Sequence, residues 1–192
     1  KGVAVNYFSS ILILFFVFTV SADDHSEHRH HEAHEHGTGQ MNVAIDGNEL
    51  LIEFEFPAND IVGFEHKPSS DKQKLLVEDA LGFFKIVNSN VLLSEKAKCK
   101  ISKPAKIETE LVEDHDDHSE EQSHDHDEEM HSEFEVNYSF ICSKPEHIES
   151  VKVLSFIKFK GIKKLKAQGV TSKGQFSTVL SPKSPMFNLG GQ

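Results

Sequence analysis

From Gln40 to Phe56 apolar and polar residues alternate: Met41, Val43 and Ile45 share one face, then Leu50, Ile52, Phe54 and Phe56. A period of two is the signature of a strand with one buried side. Asp46-Gly47-Asn48 between the two runs is a hairpin turn signal. The segment from Pro57 to His66 leaves this hairpin through a loop or a short helical turn. Ser69, Ser70 and Asp71 then cap a helix reaching about Asn88, with Leu75, Leu76, Ala80, Phe83, Phe84 and Val87 at helical spacing.

Residues 91–93 and 98–102 read as short extended pieces, and Lys106 to Val112 as an alternating strand. Phe134, Val136, Tyr138 and Phe140 face one way in a second strong alternation, Glu133 to Cys142. These two strands are natural hairpin partners around an overlong loop, which is tolerable because closure cost grows only logarithmically with length. Val151 to Phe159 reads as a strand and a turn. Leu165–Val170 and Gln175–Leu180 flank a second hairpin turn, and Pro182, Pro185, Gly190 and Gly191 predict a frayed tail. The fold class expected is α+β: a single β-rich domain of antiparallel hairpins, one main amphipathic helix and a long disordered His/Asp/Glu loop.

Residues 11–20 are apolar almost throughout. That is short of the roughly 20 residues needed to span a bilayer, but it suits a secretory signal whose cleavage falls after Ala22. An uncleaved N-terminal anchor is the alternative. The expected organisation is a signal peptide over 1–22, a flexible His-rich arm over 23–36, and a metal-binding domain over 37–192 with an inserted loop at 113–131. After cleavage no membrane insertion is expected.

The formal net charge is −11. Acidic chains repel nucleic acid and anionic lipid and attract cations. Where the charge lies matters more. Residues 23–36 hold six histidines and five carboxylates; residues 113–131 hold five histidines, ten carboxylates and no basic residue. Eleven of the chain's thirteen histidines therefore sit in two acidic segments. Imidazole is the commonest protein ligand for zinc, and it also suits nickel and copper. Neighbouring carboxylates ligate directly or orient the ring.

The spacing of His115, His118, His124, His126 and His131 fits many geometries, so this segment reads as a collector of several ions. The competing reading is a solvated acidic tether. A tighter Zn(II) site is expected where His34 and His36 enter the first strand, with His66 completing a set of three. For His66 the alternative is a partly buried ring bonded to a backbone carbonyl. His147 reads as a surface residue.

Two cysteines, Cys99 and Cys142, adjoin strand-like runs. In an exported chain they suggest a disulfide across a sheet; a pair of thiolate metal ligands is the alternative. No H-E-x-x-H, G-x-S-x-G or glycine-rich phosphate loop occurs, so no enzyme is expected. A zinc hydrolase, a nickel or copper buffer, and a metal-independent pH-responsive surface protein are the competing functions.

Arg29 to Gly37 (RHHEAHEHG), Met41 to Ala44, Pro57-Ala58 and Ile61 to Pro68 (IVGFEHKP) together resemble a family. It is the ZrgA-type zinc-binding periplasmic proteins of Gram-negative bacteria, and the resemblance runs from about Arg29 to about Leu180. Gly63-Phe64-Glu65-His66 with Pro68 is its most specific part. The resemblance implies zinc capture in the periplasm and help in supplying an ATP-driven zinc importer or its binding protein. It carries the metal role to His31, His34, His36 and His66. The chain departs from the pattern in its many lysines and in His30, where the family often has Gln.

Overall fold

The computed structural model describes residues 35–112 and 132–190. The expectations for the signal, for the arm before Glu35 and for the loop at 113–131 lie outside them. Strands β1 (Thr38–Asp46) and β2 (Glu49–Pro57) form the expected hairpin, with Met41 opposite Phe54 and Val43 opposite Ile52. Helices α1 (Ala58–Val62), α2 (Asp71–Lys85) and α3 (Val87–Asn90) follow, then β3 (Val91–Leu93), β4 (Cys99–Ile101) and β5 (Lys106–Glu108). After the second His-rich segment come β6 (Glu133–Cys142), β7 (Ser150–Val153), α4 (Ser155–Lys158), β8 (Lys164–Thr171), β9 (Gly174–Leu180) and β10 (Met186–Asn188).

Seven strands make one sheet in the order β4-β6-β2-β1-β8-β9, with β5 also paired to β6; β10, β7 and β3 make a second sheet. One pairing departs from the hairpin expectation: β1 runs parallel to β8. The inner face of the large sheet is the core, built from Met41, Ile52, Phe54, Phe56, Phe134, Tyr138 and Leu165, all essentially fully buried. Phe84 of α2 stacks on Phe56 at 5.6 Å and on Phe159 at 5.3 Å, and meets Phe134 at 6.0 Å. Burying each such ring stabilises the fold by roughly 1.5–3 kcal/mol. The Tyr138 hydroxyl donates to the Phe84 carbonyl at 2.8 Å, which fixes α2 lengthwise on the sheet.

Ser70 caps α2 as expected, in a capping box with Gln73. Its buried stripe is displaced, however: Val77, Ala80 and Phe84 face the core, whereas Leu75 is 63% exposed. Docking of Phe84 among Phe56, Phe134 and Phe159 sets the helix rotation, and Leu75 falls off the face so defined. Strand β5 is also shorter than its alternation implies. After Glu108 the chain turns, burying Leu111 and bringing the Glu110 carboxylate to the Glu133 amide at 3.1 Å. The tail is not frayed where it was expected to be. Met186–Asn188 pairs with β7, and Phe187 and Leu189 are buried against Gly169. Among the described residues no helix is long and apolar enough to cross a membrane.

Candidate functional site

The chain leaves β2 at Pro57, whose fixed φ suits the start of a helix. It ends α1 at Gly63, where φ of +87° is open to glycine at little cost. The reversal delivers Phe64, Glu65 and His66 beside the start of β1. Asp60, buried in α1, accepts the Gly37 amide at 2.7 Å, while the Gly37 carbonyl accepts from Lys163 and Lys164 at 2.8 and 2.9 Å. Gly161 makes room for this: a Cβ there would overlap the Asp60 backbone. The residue following His36 is thereby clamped on both sides.

Burial raises the Asp60 carboxyl above its ordinary range; the Gly37 amide, His36 and Lys163 oppose the rise, and the neighbouring Glu65 charge adds to it. His36 itself projects outward, its side chain 58% exposed. Its Nδ1 lies 3.0 Å from the Asn59 side-chain amide and 3.8 Å from Glu65 Oε1. His66 is exposed as well; its Nδ1 lies 2.9 Å from the Lys67 carbonyl, and its ring stacks on Phe64 at 5.2 Å. The backbone-carbonyl bond that is the alternative for His66 is thus present, on an exposed rather than a buried ring.

These contacts sort the ring nitrogens. A carbonyl can only accept, so Nδ1 of His66 carries the proton and Nε2 of the neutral ring keeps the lone pair. At His36 the Asn59 side-chain nitrogen faces Nδ1 at 3.0 Å and can only donate, so Nδ1 accepts and the neutral ring carries its proton on Nε2. His66 alone has the arrangement in which an acceptor on Nδ1 leaves Nε2 free for a metal; His36 reaches it when its proton moves to Nδ1, which breaks the Asn59 bond.

Ser132 lies at the same corner. Ser132, the residue after His131, donates its hydroxyl to the Glu65 carbonyl at 2.8 Å, and its own carbonyl accepts the Ala58 amide at 2.9 Å. Nearby, the sheet register sets Glu108, Glu135 and Glu55 side by side across β5, β6 and β2. Like charges directly opposite each other disfavour pairing. Glu133, almost fully buried, responds: burial first, then the charges of Glu55, Glu135 and Glu110, push its carboxyl up to about 7.

Of the expected ligands, only His36 and His66 are among the described residues, and the fold brings both to the Glu65 corner. His31, His34, His115, His118, His124, His126 and His131 lie outside them. Among the described residues no group of three or more His, Cys, Asp or Glu side chains stands ready to hold an ion. Cys99 and Cys142 pair in register across β4 and β6 and form a disulfide, so they are not thiolate ligands. His147 sits at the surface beside Glu146. Sequence reading passed over Asn59, Asp60, Glu65 and Gly161. Only the block from Gly63 to His66 pointed near them, because the other contacts join residues 23 or more apart.

No curated protein matches the chain. The model of the ZrgA family, described as zinc uptake proteins, matches residues 33–189, and the chain belongs to that family.

Proposed function

We propose that this protein captures Zn(II) in the periplasm and helps deliver it to an ATP-driven importer. In this reading, His34, His36 and His66 form its tightest site and His31, His115, His118, His124, His126 and His131 gather further ions. The observation carrying the reading is the meeting of two distant pieces of chain at Glu65. His36, which ends the first His-rich arm, faces its carboxylate at 3.8 Å; Ser132, which ends the second segment, bonds its carbonyl at 2.8 Å. Anchoring both histidine-bearing segments at one corner raises the local concentration of imidazole there. The carboxylates of Glu55, Glu108 and Glu135 add a negative field that favours cations.

Zinc needs neutral imidazole, so affinity falls as pH drops below about 6. Binding and delivery require ligand exchange at the metal but no covalent turnover of a substrate, which accords with a family named for uptake. Calorimetric zinc titration of residues 23–192 tests the reading, beside a deletion of 114–131 and a His34→Ala/His36→Ala/His66→Ala variant. Loss of the tight phase in the triple variant, with only weak sites lost in the deletion, supports it. Abolition of tight binding by the deletion alone removes His66 from the site.

A further inference from the structure

Residues 150–192 contain eight of the chain's twenty basic residues and none of its thirty-one acidic ones. In a protein of net charge −11 this is a marked segregation, and the fold places four of the eight, Lys164, Lys166, Lys173 and Lys183, on or beside the last two strands of the large sheet, β8 and β9. Strand β9 is the last strand there; among the described residues nothing pairs with its outer side. From Gly174 to Leu180 it carries no charge. Lys166 lies beside it, opposite Val179; Lys173 precedes it in the hairpin turn; Lys183 follows it in the Ser181–Ser184 turn. None of these three lysines forms an ion pair among the described residues.

The opposite edge is built differently. There β6 is covered by β4 and β5, three residues each, bearing Lys100, Lys106 and Glu108, with Lys106 and Glu108 paired at 2.8 Å. Short, charged edge strands are how sheets avoid further pairing. Strand β9 has seven residues, no Pro and no charge of its own, and Val179 is 58% exposed. Its backbone is open to a further strand, and the surrounding charge decides which one. Antiparallel pairing with β9 of a second copy would bring Lys173 of each chain toward Lys183 of the other, a like-charge contact that disfavours the dimer. An acidic strand would meet attraction at all three lysines.

We propose that β9 is a docking edge for an extended acidic segment of a partner protein, which adds to the sheet as a further antiparallel or parallel strand. Alternation in the sheet dictates the pattern of that segment. Acidic residues fall on the outer face with Lys166, and apolar residues on the inner side with Phe176 and Leu180, which belong to or pack on the core. This surface is separate from the zinc-binding reading and does not depend on it.

The test uses the full chain and a fluorescently labelled synthetic peptide of alternating Glu and Val, with a Lys-Val peptide as control. Expected are saturable binding of the Glu-Val peptide alone, weakening with salt, and amide shifts confined to Gln175–Val179 and its flanks. A Lys166→Glu/Lys173→Glu/Lys183→Glu variant is expected to lose at least about tenfold in affinity, and the milder triple Lys→Gln variant a smaller amount. Thermal melts confirm that both remain folded. Any of three results overturns the proposal: no saturable peptide binding, peptide binding indifferent to both variants, or sedimentation of the chain as a β9-dependent dimer. Binding to phosphatidylglycerol vesicles in place of the peptide would reassign the lysines to a lipid surface and overturn it equally.

Discussion

Asn59 holds His36 by its Nδ1, with 3.0 Å between the side-chain amide and the ring nitrogen. The pair joins α1 to the entrance of β1, and because the amide nitrogen donates, the neutral ring keeps its proton on Nε2. An outer partner that instead accepts from Nδ1–H frees Nε2 for a metal, and such partners are worth about 10–100-fold in affinity. Asn59→Asp supplies that acceptor and is expected to tighten the strongest zinc phase by about tenfold. Asn59→Ala removes the donor without replacing it and is expected to change the affinity less, while barely moving the melting temperature because the pair is solvent-facing. No gain in the Asp variant, read by calorimetry, would detach Asn59 from the metal.

Gly161→Ala tests the clamp behind that pair. Its Cβ meets main-chain atoms of Asp60, which cannot rotate out of the way. The expected cost is about 1–3 kcal/mol, as for other overpacked positions, together with a weaker tight zinc phase because α1 shifts relative to Gly37. Chemical denaturation measures the first effect and zinc titration the second. A stability loss with unchanged zinc affinity would separate the clamp from the site.

Glu133 makes stability depend on pH in a definite direction. Its folded carboxyl titrates near 7, well above the usual 4.5. Between these values the folded state binds the extra proton, so stability is greatest below about 4.5 and falls as pH rises to about 7. The total change is on the order of 3 kcal/mol. Glu133→Gln keeps a donor toward Glu135 without the charge. Thermal melts across this range should then lose most of their slope, and the variant should be more stable than the parent above pH 7. An unchanged slope would place the titrating group elsewhere.

Breaking the Cys99–Cys142 bridge discriminates a structural from a metal role. The bridge closes a loop with a sequence separation of 43, for which chain entropy gives roughly 4 kcal/mol. Cys99→Ala/Cys142→Ala should lower the unfolding free energy by about that amount and leave zinc stoichiometry per folded molecule unchanged. A lost equivalent of zinc would count against the bridge as a purely structural link.

Much of this was legible before any coordinates. The alternation of Met41, Val43 and Ile45 against Leu50, Ile52, Phe54 and Phe56, and that of Phe134 to Phe140, named the buried face of three strands, because local side-chain period is a property of the chain itself. The Ser70 cap and both hairpin turns were readable for the same reason: each depends on residues within a few positions. So was the family, carried by the block from Gly63 to Pro68 and matched over residues 33–189. What local pattern could not supply was any relationship between distant segments. Which way α2 rolls is decided by Phe84 meeting Phe56, Phe134 and Phe159, so Val77 is buried and Leu75, expected on the apolar face, is not. Tertiary structure alone set β1 parallel to β8, buried Phe187 in a tail read as frayed, and aligned Glu55, Glu108 and Glu135 across three strands. It alone also brought Asn59, Asp60 and Glu65 to His36 and Ser132, through contacts between residues 23 to 67 positions apart whose closure is paid for by the whole core.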